Sequence, residues 1–346
     1  MNIVFPELKN SHIQGALTLY QQYQSTGYTN PLYPTSPLTP ITPIPAQDLA
    51  DACTKLTSHA ASAMIAGIDY SSRDVILACR DHLDMAPIPQ EFSSISKNDL
   101  ATPASSINQN GSTTPISSIT KTPSTPTTPP TYSTFSGLAV LQRDQQIFLL
   151  ADMAACKHPT HEQLIEIVEQ TITSAQKILP QVPRAALLSF STFGSGGKDD
   201  TITLMQSTLQ HFQPLTKTTQ DSIFQPQSQS NTNQTTQNPS PTFFIDGEMQ
   251  LDAALNPAIA TKKSSEWTTH TPSNDTNFSP VAGQANVLIA PDLNSGNLLY
   301  KAFEQIGGFH AAGPILQGFA YPVSDLSRGS TPWDIFLTIC ALTLLA

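Results

Sequence analysis

The sequence predicts an α/β protein with a mostly parallel sheet. Three observations carry that prediction: short apolar runs that suit buried strands, a helical pattern after each run, and polar clusters where strand gives way to helix. The runs are QIFLLAD (146 to 152), AALLSFS (185 to 191), FFI (243 to 245) and ANVLIAP (285 to 291). Alternation of this kind builds parallel sheets with helices on their faces, and ligands gather beyond the carboxyl ends of such strands.

The helix after the first run is the most explicit. HEQLIEIVEQTITSAQKIL sets Leu164, Ile165, Val168, Ile172 and Ala175 on one side at helical spacing, and Thr160 with Gln163 forms a capping box at its start. Between the patterned islands lie four polar tracts. YPTSPLTPITPIP (33 to 45) favours an extended polyproline-like path, and the stretches near 93 to 133, 214 to 241 and 263 to 279 are poor in large apolar side chains. Each is expected to be a flexible surface loop, so the packed core is smaller than 346 residues with 29 prolines would suggest.

A formal charge of -10 argues against a nucleic-acid partner, which requires a basic face. The N-terminal MNIVFPELKN lacks the pattern of a signal peptide, and FLTICALTLLA is too short to span a bilayer; no membrane association is expected. Cys53, Cys79, Cys156 and Cys340 are scattered, which suits a reducing cytoplasm better than a disulfide frame. Cys156, His158 and His161 have no further ligands at usual spacing, so no metal is assigned.

Four clusters remain. STFGSGGKDD, with Ser191, Thr192, Gly194, Ser195 and Gly196, is rich in donors that suit a phosphate or a developing oxyanion, and a plain strand-to-helix turn is the other reading. Asp246, Glu248, Gln250 and Asp252 follow one strand and Asp292 to Asn297 another, where helix capping is the simpler role. In PVSDLSRGSTPWD (322 to 334), Thr331, Pro332 and Asp334 have the pattern of a capped helix start. Capping leaves Ser327 and Arg328 unexplained; an arginine fork and a hydroxyl near a carboxylate suit a phosphate held beside a base.

Taken in order, PRAALLSFSTFGSG (183 to 196), IDGEMQLDAAL (245 to 255), SPVAGQANVLIAPDLNSGNLLYK (279 to 301) and GPILQGFAYPVSDLSRG (313 to 329) resemble the phosphate acetyltransferases, within the wider phosphate acetyl/butyryltransferase group. Shorter echoes are IVFPE (3 to 7), AMIAGIDYSSRDVI (63 to 76) and Leu149 to Ile167. The resemblance implies two three-layer α/β domains with mostly parallel sheets and an active-site cleft between them. These would be residues 1–134 plus 322–346, and residues 135–321. It implies a cytoplasmic homodimer that interconverts acetyl phosphate plus coenzyme A with acetyl-CoA plus phosphate. The substrates are small molecules, and no cofactor is tightly bound.

By the same resemblance Asp334 is the base for the coenzyme A thiol, Arg328 holds the acyl phosphate and Ser327 stabilises developing charge. Ser71, Ser72 and Arg73 would bind substrate beside the Ser191 to Gly196 turn. The chain departs from the family in a shortened first domain and in Leu77, which stands where an arginine is common. Two alternatives accompany this reading: a propionyl- or butyryl-preferring transferase, and a non-catalytic remnant that binds coenzyme A derivatives or a partner chain.

Overall fold

A computed structural model of the chain describes residues 1–93, 129–223, 242–268 and 279–346. The first half contains β1 (Asn2–Phe5), α1 (Ser11–Ser25), β2 (Thr29–Asn30), β3 (Tyr33–Pro37), β4 (Thr42–Pro45), α2 (Leu49–Thr57), β5 (Ala63–Ala66), α3 (Ser72–His82) and α4 (Gln90–Ser93). Then come β6 (Ser136–Arg143), β7 (Gln146–Ala151), α5 (His161–Ile178), β8 (Arg184–Leu188), α6 (Asp200–Ile223), β9 (Phe244–Met249), α7 (Leu251–Leu255) and α8 (Pro257–Thr268). The chain continues through β10 (Val287–Ile289), α9 (Leu293–Gln305), β11 (His310–Gln317), β12 (Val323–Asp325) and α10 (Pro332–Leu345).

The α/β class is as the alternation predicts, and all four apolar runs form strands. Ten of the strands make one sheet in the order β4-β1-β5-β12-β11-β6-β7-β10-β8-β9. Its two ends are parallel; the middle is antiparallel, with β11 against β12, β6 against β11 and β7 against β6. A single sheet therefore runs through both halves of the chain.

Packing divides the helices into layers. Alternate strand residues such as Ile3, Ile65, Val140, Leu149 and Leu187 join α1, α5 and α10 in one core that extends along a face of the sheet. On the other face the core is split. Val4, Met64 and Ala66 pack with α2 and α3, while Leu141, Leu150 and Leu288 pack with α7 and α9. Burying each Val, Ile, Leu or Met side chain among these is worth about 1.5–3 kcal/mol.

The predicted helix start at Thr160 forms as expected, with both arms of its capping box present. All five residues assigned to its inner side are buried. Near the C-terminus, β12 lies parallel to β5 and α10 packs on α1, so the end of the chain completes the half that contains its beginning.

Three of the expected loops differ from expectation. The tract 33 to 45 supplies β3 and β4, and β4 pairs in parallel with β1 at the sheet edge. Edge position makes this possible. Thr42 N donates to Met1 O and Ala46 N to Phe5 O, while the intervening Pro43 and Pro45 need no partner on the outer side. Likewise α6 continues to Ile223 and α8 to Thr268, beyond the expected starts of polar tracts at 214 and 263. An established helix adds one hydrogen bond per residue whether or not the new turn is buried. Residues 94–128, 224–241 and 269–278, where the remaining loop expectations fall, lie outside the described residues.

Candidate active site

Strand direction decides which polar clusters can meet. Because three successive pairings in the middle of the sheet are antiparallel, the half built on β1, β5 and β12 runs opposite to the half built on β7, β8, β9 and β10. Their carboxyl ends consequently open at opposite edges. Ser71, Ser72, Arg73, Ser327, Arg328 and Asp334 share one edge; Ser191, Thr192, Gly194, Ser195 and Gly196 stand on the other.

The first edge is organised by buried carboxylates. Glu7, after β1, accepts the backbone N–H groups of Ile68, Asp69 and Tyr70 and so shapes the turn between β5 and α3. Asp325 ends β12 directly beneath the loop that carries Ser327 and Arg328. Its carboxyl is only 1% exposed, and burial pushes its pKa up to about 6, against the lowering effect of a hydrogen bond from Ser72. One of its oxygens, Oδ1, is buried without a hydrogen-bond partner. Gly67 leaves room for this carboxylate: its φ is +108°, and a Cβ there would lie 2.6 Å from Asp325 Oδ1 and from Leu326 N.

Above this base the loop is held by its own turn, with Ser330 N donating to Ser327 O at 2.9 Å, and by His12, whose Nδ1 is 3.0 Å from Ser330 O. Arg328 is exposed, as is Arg73 in the first turn of α3, and neither makes an ion pair among the described residues. In an acidic chain, two unpaired guanidinium groups at one edge are a natural place for phosphate. Ser71 caps α3 by accepting from Asp74 N and donating to Asp74 Oδ2, so its hydroxyl is engaged. Leu77 lies one turn beyond Arg73 and is half-buried.

Asp334 has the capping role that its sequence context allowed. It closes a capping box with Thr331, accepting Thr331 N at 2.9 Å and Thr331 Oγ1 at 2.7 Å on Oδ2. Its other oxygen accepts Ala311 N at 3.3 Å and faces His310 Nδ1 at 3.5 Å. His310 begins β11 and is half-exposed; sequence reasoning missed it, since nothing in FHAAGP marks a functional histidine.

At the opposite edge the glycine-rich turn is satisfied from within. Fully buried Glu248 accepts Ser191 Oγ at 2.7 Å, Gly194 N at 2.6 Å and Gln206 Nε2 at 2.9 Å. Gly196 N donates to Ser191 Oγ, and Thr192 N to Ser195 Oγ. Ser195 N and Gly197 N bond to carbonyls of the same turn. These hydrogen bonds are internal to the turn, and strand direction sets it at the edge opposite the one that carries Arg328. Asp292 likewise caps α9 through Ser295 N.

A cavity of about 250 Å³ elsewhere is lined by Tyr132, Gln170, Lys177, Phe319 and Tyr321. It contains none of the predicted site residues, and its Lys177 ammonium is bonded to Leu345 O. Arg73 and Arg328, exposed and without an ion pair among the described residues, lie instead at the edge where β5 and β12 end.

Comparison with known proteins gives three findings. Residues 115–215 and 226–344 match the model of the phosphate acetyl/butaryl transferase family. The phosphate acetyltransferase of Treponema pallidum (strain Nichols) is 36% identical over 198 residues, 57% of this chain and 48% of that protein. The phosphate acetyltransferase of Corynebacterium glutamicum is 35% identical over 220 residues, 63% of this chain and 55% of that protein. The chain thus spans about half the length of the curated relatives it matches. In fold it is similar to a phosphotransacetylase from Streptococcus pyogenes, with TM-score 0.62 at 22% identity over 100% of this chain and 93% of that one. An EutD phosphotransacetylase from Staphylococcus aureus gives TM-score 0.63 at 19% identity, covering 100% and 94%.

Proposed function

The chain belongs to the phosphate acetyl/butaryl transferase family, and from that premise we propose that it transfers an acyl group, acetyl foremost, between acyl phosphate and coenzyme A at the edge where β1, β5 and β12 end. The observation that carries this reading is that Ser327, Arg328, Asp334 and the start of α3 share one sheet edge, where two exposed arginines make no ion pair among the described residues.

The chemistry follows from those groups. A free thiol titrates near ~8.5, so at neutral pH it needs a base to become an effective nucleophile. Asp334 supplies the carboxylate charge that favours removal of the thiol proton. Arg328 binds the phosphoryl oxygens and stabilises the phosphate as it leaves; Ser327 donates to charge developing on the carbonyl oxygen. Arg73 meets the phosphates of coenzyme A, with Ser71 and Ser72 fixing the helix start that presents it. We assign the chain to the cytoplasm as a homodimer with coenzyme A as a substrate and no tightly bound cofactor. Its two domains are residues 1–134 plus 322–346 and residues 135–321.

Thioester formation by the purified protein from coenzyme A and acetyl, propionyl or butyryl phosphate tests the reading. Saturable turnover, fastest with acetyl phosphate, is expected. Calorimetric binding of coenzyme A with no thioester from any of the three would support the non-catalytic alternative instead.

A further inference from the structure

The Asp334 carboxylate is poorly placed to take a proton from solvent-borne substrate by itself. A carboxylate offers about four acceptor positions. Thr331 N and Thr331 Oγ1 occupy Oδ2, Ala311 N approaches Oδ1 at 3.3 Å, and the remaining direction faces His310 Nδ1 at 3.5 Å. The Asp334 side chain is 9% exposed, whereas that of His310 is 52% exposed. The imidazole beside the carboxylate is the more exposed of the two, its ring 6.0 Å from that of Trp333 in a T-shaped arrangement.

Resting on the acyl-transfer reading above, we propose that His310 and Asp334 form a catalytic dyad in which His310 receives the thiol proton and Asp334 holds the ring. Asp334 fixes the tautomer with hydrogen on Nδ1, leaving Nε2 with its lone pair directed to the substrate side. The thiol proton passes to Nε2 as sulfur bonds to the acyl carbon. Collapse of the tetrahedral intermediate breaks the bond between that carbon and the phosphate oxygen, and the electron pair leaves with the phosphate. The departing oxygen takes the proton from Nε2. Acyl phosphate and thiol thus become thioester and hydrogen phosphate, and the imidazole returns to its starting state. Contacts of 3.5 Å in a substrate-free site are ordinary for groups that close up around bound reactants.

His310 is half-exposed and, among the described residues, its side chain makes no hydrogen bond that holds the core, so its replacement should leave the fold intact, which circular dichroism checks. His310→Ala and His310→Gln should lower kcat for thioester formation by about 10²–10⁴-fold, with the coenzyme A KM within about twofold of the parent. Free imidazole should restore part of the rate to His310→Ala, because the vacated space admits the missing base. The double variant His310→Gln/Asp334→Asn should be no slower than the slower single, as expected of residues acting as a unit. Parent-like kcat in His310→Ala overturns the dyad, as does a loss that imidazole does not rescue. Absence of turnover in the parent itself is a different result: it removes the acyl-transfer reading and the dyad with it.

Discussion

Replacing Asp325 by asparagine removes one charge from beneath the loop that carries Ser327 and Arg328, and the structure sets both sign and size of the effect. Burial holds the folded carboxyl at about 6, against an ordinary value of 3.8. The folded protein therefore binds this proton more tightly than the unfolded chain does. The ionised group is unfavourable above about pH 6; the penalty shrinks as pH falls through that value and is gone below the ordinary carboxylate range. A displacement of about two units corresponds to roughly 3 kcal/mol, of which about 1–2 kcal/mol should be recovered between pH 7 and pH 5.

Asp325→Asn keeps the shape and lacks the titration. It should be more stable than the parent at pH 7 by about 2–3 kcal/mol, with the difference reduced by about 1–2 kcal/mol at pH 5. Urea unfolding of both proteins at pH 5, 6 and 7 reads this directly, because titrating groups remote from position 325 cancel in the comparison. Parallel stability curves for parent and variant would refute the argument, and so would a variant that is less stable at all three pH values.

Other substitutions probe the rest of the framework. Arg73→Ala should raise the apparent coenzyme A constant about ten- to a hundredfold, the worth of one charge-assisted phosphate contact, with a smaller effect on acetyl phosphate; unchanged saturation by coenzyme A would remove Arg73 from the site. Glu248→Gln places an amide where Gln206 also donates, so it should cost about 2–3 kcal/mol in urea unfolding, and an unaltered midpoint would show that Glu248 is not the hub of the glycine-rich turn. Gly67→Ala combines a strained φ with a Cβ 2.6 Å from Asp325 Oδ1; a destabilisation of about 2–3 kcal/mol and slower turnover are expected, and parent-like values for both would contradict the tight fit described for this turn.

Local features of this fold were legible in the sequence because local chemistry causes them. The capping boxes at Thr160 and Thr331 need only residues three apart, and the inner side of α5 follows from helical spacing. The buried runs around Leu149, Ala186 and Leu288 likewise announce strands. Direction is another matter. Leu138 to Leu141 and Ala311 to Leu316 are apolar runs like the rest, yet they pair antiparallel and set the two parallel halves in opposite senses. That reversal separates Ser191 to Gly196 from Arg328, and no single strand encodes it. The proline-rich β4 was hidden for a similar reason: proline opposes a central strand but suits an edge, and position in the sheet is a tertiary property.

Of the candidate site, Ser327, Arg328 and Asp334 could be read as a group because they lie within one short segment. His310 could not, since it meets Asp334 only once β11 is paired beside β6 and β12. Glu248 appeared in the sequence as one of several acidic residues after a strand; its burial and its three donors come from the fold.

The central claim is that acyl transfer takes place at the sheet edge that carries Arg328, Asp334 and the start of α3, and Asp334→Asn tests it most directly. Asparagine keeps an acceptor oxygen for Thr331 N, turns its amide toward Ala311 N and lacks the carboxylate charge, so unfolding stability should fall by only about 1–2 kcal/mol. Coenzyme A-dependent release of phosphate from acetyl phosphate, measured on parent and variant at equal folded concentration, should fall by roughly 10²–10⁴-fold. Equal rates in the two proteins would contradict the account and return Asp334 to a purely structural role.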